Sequence, residues 1–159
     1  MNEIELATLS GFFAGEGNVT ISSGKWPTLY VAVGNTEKFW IDKFYQNYEG
    51  AFYVEKPKYL GAKYMFRWRV TGKRAEAFLK QIQPFLQGEK AEQLKLGLKF
   101  QELKKLHRPN TKAYPPELKL EMEKVRRQLQ KLRLAAAETN RKDASPWQSD
   151  SPIPEAILV

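Results

Sequence analysis

Leu9-Ser10-Gly11-Phe12-Phe13-Ala14-Gly15-Glu16-Gly17 is the stretch that decides how this chain folds, because a run of apolar and small residues ends in one carboxylate held between two glycines. Helical spacing, with Asn2 available as an N-cap, predicts a helix from about Glu3 to Glu16, followed directly by a strand. A helix C-terminus carries a partial negative charge, so an anion at Glu16 is disfavoured unless a cation binds there. Gly17 can end the helix in the left-handed conformation. Taken alone, the pattern also fits a solvated glutamate at a glycine-capped helix end.

The predicted helix has two faces of different character. Leu6, Leu9 and Phe13 recur at helical spacing and are expected to pack on the chain's own core. The other face carries only small residues, which suit very close approach by a second helix. The chain contains no second copy of this stretch, so the simplest partner is a second molecule related by a two-fold axis. The residues expected at this dimer contact are Ala7, Ser10, Gly11, Ala14 and Gly15.

The rest of the chain is predicted to form one domain with both strands and helices. Alternating polar and apolar residues indicate two β-hairpins, over 18–34 and 51–71. Helical spacing covers four further segments, 36–48 (capped by Thr36), 73–83, 89–106 and 116–139. The sequence therefore predicts an α+β fold with an antiparallel sheet. We expect the domain to occupy 1–139 and a flexible tail, rich in Ser, Pro and Asp, to occupy 140–159.

Composition points to a polyanion as the partner. The 159 residues include 26 Lys and Arg against 18 Asp and Glu, and the net charge of +8 suits nucleic acid or an anionic surface. The absence of cysteine excludes disulfides, zinc ribbons and thiol chemistry and fits an intracellular protein. No segment approaches the roughly 18 apolar residues of a membrane span, and the N-terminal residues carry no export pattern. We therefore expect no membrane partner.

One face of the predicted sheet carries side chains that suit DNA. In the last strand Arg67, Arg69 and Thr71 alternate with apolar residues, so they share the face that points away from the core. Such side chains can hydrogen-bond base edges and phosphates in a major groove, although the outer faces of antiparallel sheets more often simply meet water. The expected DNA-binding residues are Asn18, Thr20, Ser22, Lys25, Thr28, Tyr30, Lys56, Lys58, Lys63, Arg67, Arg69 and Thr71.

The stretch from Leu9 to Gly17 resembles the signature of the LAGLIDADG homing endonucleases. The order of elements after it, with Gln83-Pro84-Phe85-Leu86 before a lysine-bearing helix, is similar to the single-motif, homodimer-forming branch over roughly residues 3–135. Ala14 stands where the family often has its first acidic residue, whereas the later acidic position, which binds the metal, is kept as Glu16. The resemblance implies a curved antiparallel four-stranded sheet backed by helices, with an αββαββα core, in a homodimer that acts on double-stranded DNA.

The resemblance also implies the catalytic residues. Glu16 is expected to bind Mg²⁺ together with the Gly15 carbonyl, phosphate oxygens and water, and Mn²⁺ or Ca²⁺ can occupy the same site. Since one carboxylate per chain cannot make a strong site, two copies would bring two carboxylates together, one for each DNA strand. Lys90 matches the family's catalytic lysine if one residue is inserted, whereas an ungapped match selects Glu89. Alternatively, Lys90 is an ordinary surface lysine without a catalytic role. Asn35 matches an amide position after the second strand, or is only a turn-forming strand terminus.

These observations favour a homodimeric, Mg²⁺-dependent endonuclease that cuts both strands of a long pseudo-palindromic duplex site. The resemblance implies that cutting promotes homing of the enzyme's own intron or intein, in an organelle or a prokaryotic cytoplasm. The main alternative is a non-cutting protein of the same fold, either an RNA maturase for intron splicing or a DNA-binding regulator. A basic protein that binds anionic surfaces is a third alternative, but it leaves the two-faced helix unexplained. Histidine–metal nuclease chemistry fits poorly, because His107 is the only histidine.

Overall fold

The structure, a computed structural model, describes residues 1–107 and 113–144, with side chains described as far as residue 139. In chain order its elements are α1 (Glu3–Glu16), β1 (Gly17–Ile21), β2 (Leu29–Asn35), α2 (Lys38–Tyr48), β3 (Ala51–Glu55), β4 (Met65–Thr71), α3 (Gly72–Ile82), a short 3-10 turn (Gln83–Phe85), α4 (Gly88–Lys105) and α5 (Pro116–Ala144). The predicted α+β class and the αββαββα order are confirmed. Helix α5 runs past the end predicted near residue 139, and the rest of the predicted tail, 145–159, lies outside the described residues.

The four strands form one antiparallel sheet in the order β1-β2-β4-β3. In the central register Val31 of β2 lies between Val19 of β1 and Val70 of β4, and all three side chains are buried. The residues that alternate with them point to the opposite face of the sheet, as period-two strand geometry requires. The sheet therefore has one apolar face under the helices and one outer face that carries polar and charged side chains.

The core lies between the apolar sheet face and the helices. Helix α1 contributes Leu9 and Phe13, which are buried as the sequence predicted. Phe78 of α3 contacts the rings of Phe13, Phe44 and Trp68, with centroid separations of 5.2, 6.0 and 5.1 Å. This aromatic cluster joins α1, α2, α3 and β4, so the position of α1 is fixed by buried rings. No helix in the described part of the chain is long and apolar enough to cross a membrane.

Helix α2 begins at Lys38, one residue later than a Thr36 cap would place it. The side-chain oxygen of Asn35 accepts a hydrogen bond of 2.8 Å from the backbone N–H of Glu37, which closes a tight turn after β2. The residue at the N-cap position is Glu37, and its side chain makes no capping bond. The prediction that Thr36 caps this helix is therefore wrong, because Asn35 closes the turn that leads into it.

Candidate functional site

The chain passes from α1 to β1 at Glu16 and Gly17 without a connecting loop. Gly17 has an extended backbone (φ −78°, ψ 155°), so the expected left-handed cap is wrong. Glycine is needed there for another reason, because a Cβ atom would overlap the ring and the carbonyl oxygen of Phe13. Since Phe13 is fully buried, the junction is packed directly on the core and holds Glu16 in place.

Glu16 is exposed, and its carboxylate makes no hydrogen bond or ion pair with any described residue. The neighbouring backbone is open, because a Cβ atom at Gly15 would have no described atom within 4 Å. A carboxylate and an adjacent carbonyl are the hard oxygen donors that Mg²⁺ prefers. Among the described side chains, those of residues 1–107 and 113–139, no group of three or more His, Cys, Asp or Glu is placed to hold a metal. One chain therefore fits Mg²⁺ chemically but supplies only part of its coordination shell.

Lys90, near the start of α4, reaches the same junction. Its Nζ donates a hydrogen bond of 2.6 Å to the carbonyl oxygen of Gly17 and lies 5.9 Å from the centre of the Phe13 ring. Burial lowers the pKa of Lys90 below that of an ordinary lysine; Glu89 opposes this change and the charge of Arg133 adds to it. The exposed Glu89 instead accepts a hydrogen bond from Gln93. Between the two alignments, the structure brings Lys90 and not Glu89 to the end of α1.

Asn35 lies at the same end of the sheet as Glu16. In the β1–β2 register Gly17 pairs with Val33, and Asn35 follows two residues later, beyond the last paired position. Its side-chain oxygen is engaged by Glu37, so the turn-forming role is confirmed. The side-chain amide nitrogen of Asn35 donates no hydrogen bond to any described residue, so it can still donate one to another group.

The outer face of the sheet carries half of the predicted DNA-binding residues in cross-strand rows. The first row is Thr20, Tyr30 and Thr71; the second is Asn18, Ala32, Arg69 and Ala51; the third is Gly34, Arg67 and Tyr53. Ser22 and Thr28 close the β1–β2 hairpin, because the Ser22 hydroxyl accepts a 2.9 Å hydrogen bond from the Thr28 N–H. Four exposed lysines lie in the hairpin connections, Lys25 after β1 and Lys56, Lys58 and Lys63 between β3 and β4.

The two arginines of this face are held in different ways. The guanidinium carbon of Arg69 lies 5.3 Å from the ring centre of Tyr30 and 5.7 Å from that of Tyr53. The Nε of Arg67 donates a 2.6 Å hydrogen bond to a carboxylate oxygen of Glu55. Tyr53 and Glu55 also lie on this face, although they were not among the predicted DNA-binding residues; the alternation from Ala51 along β3 would have assigned them to it.

The small side chains of α1 form a second exposed surface, the small-residue face, made of Ala7, Gly11, Ala14 and Gly15. A Cβ atom at Gly11 would have no described atom within 4 Å. Ser10 does not belong to this face, which corrects its prediction as a dimer-contact residue. Its side chain is fully buried and its hydroxyl donates a 2.7 Å hydrogen bond to the Leu6 carbonyl, so it turns toward the core.

Solved structures of homing endonucleases resemble this fold. I-CvuI, in complex with the I-CreI target in the presence of Mg, aligns with a TM-score of 0.64 at 21% identity over 82% of this chain and 82% of its own. I-TnaI aligns with a TM-score of 0.59 at 12% identity over 84% of this chain and 96% of its own. The LAGLIDADG protein I-GzeII, in complex with its DNA target, gives 0.59 at 13% identity, over 76% of this chain and 43% of its own. Neither protein-family models nor curated protein sequences give a match. The chain thus has the fold of the LAGLIDADG homing endonucleases.

Proposed function

We propose that this protein is a homodimeric, site-specific endonuclease that cuts both strands of a long pseudo-palindromic DNA duplex. The observation that carries the proposal is the location of Glu16, a carboxylate without a partner among the described residues, at the point where the small-residue face of α1 meets the polar face of the sheet. A metal-binding carboxylate there would lie both at a two-fold contact and beside bound DNA. The shared fold supports duplex DNA as the substrate, since I-CvuI and I-GzeII are both in complex with DNA.

The proposed reaction is phosphodiester hydrolysis, and the residues that would carry it out lie at one end of the sheet. Glu16 and the Gly15 carbonyl would hold Mg²⁺, which when bound polarises the phosphate and makes a coordinated water nucleophilic. Lys90 would supply positive charge where negative charge develops on the phosphate oxygens. Its hydrogen bond to the Gly17 carbonyl fixes that charge at the junction. The free amide nitrogen of Asn35 would orient water at the same end of the sheet.

A dimer would supply the second carboxylate and the second cutting site that one chain lacks. One carboxylate per chain is a weak metal site, and one site cuts one strand. Gly11 and Gly15 let two α1 helices approach closely, and Glu16 follows Gly15 directly, so the contact would bring two carboxylates near the two-fold axis. A two-fold dimer reads a site with two-fold sequence symmetry. We place the enzyme inside the cell, in the organelle or prokaryotic cytoplasm whose intron or intein encodes it, where cutting promotes homing.

Selection of cleaved sites from a random duplex library in Mg²⁺ tests the proposal. The expected result is one family of pseudo-palindromic sites cut on both strands, with no cutting in a chelator. Glu3→Gln removes an exposed carboxylate at the opposite end of α1. It is the matched control for Glu16→Gln and should cut normally.

The alternative is a non-cutting protein of the same fold. Tight binding to a structured intron RNA without any selected duplex would replace the proposal with the maturase. Specific binding to one duplex without cutting in any divalent metal would replace it with a DNA-binding regulator.

A further inference from the structure

We propose that Glu55 and Gly34 are positioning residues that decide what Arg67 reads, by presenting one edge of its guanidinium to guanine at one symmetric pair of positions in the target. This inference rests on the proposed function, because it names the base that one part of the DNA-binding face prefers. Neither residue would be expected to contact DNA by itself. Gly34 has no side chain, and Glu55 carries a negative charge on a face expected to meet a polyanion.

Contacts on both sides fix the guanidinium of Arg67. On one side its Nε donates to Glu55 at 2.6 Å. On the other side it lies against Gly34, its register partner on β2, where an added Cβ atom would be 3.2 Å from Nη1 and 3.6 Å from Cζ. A side chain at position 34 would therefore require the Nη1 end of Arg67 to shift by a few tenths of an ångström. The glycine lets the guanidinium lie directly against the β2 backbone in the position that the bond to Glu55 favours.

The bond to Glu55 selects the edge that remains available. An arginine has five N–H donors in a planar fork, and Glu55 uses the one on Nε. The two terminal nitrogens keep their donors, and such a pair matches the O6 and N7 acceptors of guanine. The side chains of Arg67 and Glu55 are 38% and 46% exposed, so a base edge can reach the pair.

The charge of Glu55 favours a base over a phosphate as the contact of Arg67. A carboxylate beside the guanidinium neutralises most of its long-range attraction and repels a phosphate oxygen that approaches it. A guanine edge is neutral, so it keeps the hydrogen bonds without that repulsion. The ion pair thus makes Arg67 a poor general binder of DNA and a selective binder of bases.

Arg69 provides an internal comparison on the same strand. It has no carboxylate partner among the described residues, and the side chains of Tyr30 and Tyr53 flank its guanidinium. Residues two apart on a strand are about 6.6–6.8 Å apart. That distance corresponds to about two base-pair steps of 3.4 Å. Arg67 and Arg69 should therefore address different base pairs, and a base-preference profile can separate their effects.

The experiment measures binding of the full-length protein to every single-base variant of the site recovered from the random duplex library. Arg67→Ala should reduce the preference for guanine at one symmetric pair of positions by about 5- to 150-fold. Glu55→Gln and Gly34→Ala should reduce the preference at that same pair, although both keep Arg67. Arg69→Ala should act at a different pair.

Glu92→Gln is the matched control, because it breaks an exposed salt bridge within α4, on the side of the sheet opposite the outer face, where Nζ of Lys95 lies 2.7 Å from a carboxylate oxygen of Glu92. It should leave the whole profile unchanged. Profiles of Glu55→Gln and Gly34→Ala that equal the parent at the Arg67 positions, or that weaken all sites uniformly, overturn the inference and leave the proposed function standing. If the parent selects no duplex site, the proposed function fails and this inference fails with it. Glu55→Gln keeps the test decisive if Gly34→Ala does not fold.

Discussion

The small-residue face of α1 and the outer face of the sheet are both open to solvent, but their side chains suit different partners. The first carries nothing longer than a methyl group and no charge, so only a surface that fits it closely gains from contact. The second carries long hydrogen-bond donors, Arg67 and Arg69, and the positive charge of Arg69, which suit a polyanion with hydrogen-bond acceptors. Exposure alone therefore does not identify a binding surface; the length and charge of the side chains do. Glu16 lies where the two faces meet.

The largest effect is expected where the two faces meet. Glu16→Gln removes the carboxylate that we propose binds the metal and keeps the shape of the side chain, so it should abolish cleavage while specific duplex binding stays near the parent value. Cleavage assays in Mg²⁺ and gel-shift titrations of the selected site measure the two properties separately. Cutting at the parent rate would remove Glu16 from the mechanism.

The next effect should be confined to the small-residue face. Gly11→Leu puts a bulky side chain into the helix contact, where overpacking costs about 1–3 kcal/mol per site, and the two-fold axis applies it twice. Sedimentation should show a dimer for the parent and mostly monomer or aggregate for the variant. Ala77→Leu, at an exposed helical position of α3, is the control and should stay dimeric. A parent that is monomeric in the presence of DNA contradicts the two-fold contact.

A smaller and more local effect is expected on the outer face of the sheet. Arg69→Ala should remove about 1–3 kcal/mol of discrimination at one symmetric pair of base positions and leave the dimer intact. Relative cleavage of all single-base variants of the site measures this change. Equal weakening at every position would show that the sheet only attracts phosphates.

The smallest effect should come from a charge outside both faces. Lys131 is exposed on α5, so Lys131→Ala should not change the base preferences. If Lys131 contacts a phosphate, the slope of log affinity against log salt should fall by about one unit. Binding at several salt concentrations tests this expectation, and a changed base preference would mean that α5 reads sequence.

Local patterns in the sequence predicted most of the fold. The alternation around Trp68 and Val70 and the helical spacing of Phe78 and Ile82 report which side of each element is buried, and these assignments are confirmed. The errors arose where a side chain acts on the backbone beside it. The turn before α2 is closed by the side chain of Asn35 and not by a Thr36 cap. Glycine is required at position 17 because Phe13 leaves no room for a Cβ atom, and not because the backbone is left-handed there.

Contacts between distant segments could not be predicted from local patterns. Glu55 and Arg67 are twelve residues apart, and their meeting depends on the β3–β4 register. All five residues of β3 are exposed or half-buried, so the alternation along the strand can assign its two faces but does not determine which residues of β4 it pairs with. The choice between Glu89 and Lys90 depends on how α4 starts at Gly88, whose positive φ of 62° is a backbone turn that no hydrophobic periodicity reports. The catalytic roles of Glu16, Lys90 and Asn35 stay predictions.

The loop-free junction between α1 and β1 has a consequence for how such an enzyme could change its target. Because Gly17 packs on Phe13 without room for one more atom, Glu16 is a fixed point of the scaffold and not a mobile arm. In the proposed dimer the distance between the two cuts, and hence the length of the single-stranded overhang, is then set by how two copies of α1 cross. In that dimer, substitutions on the sheet would change which bases are read without changing the stagger between the two proposed cuts.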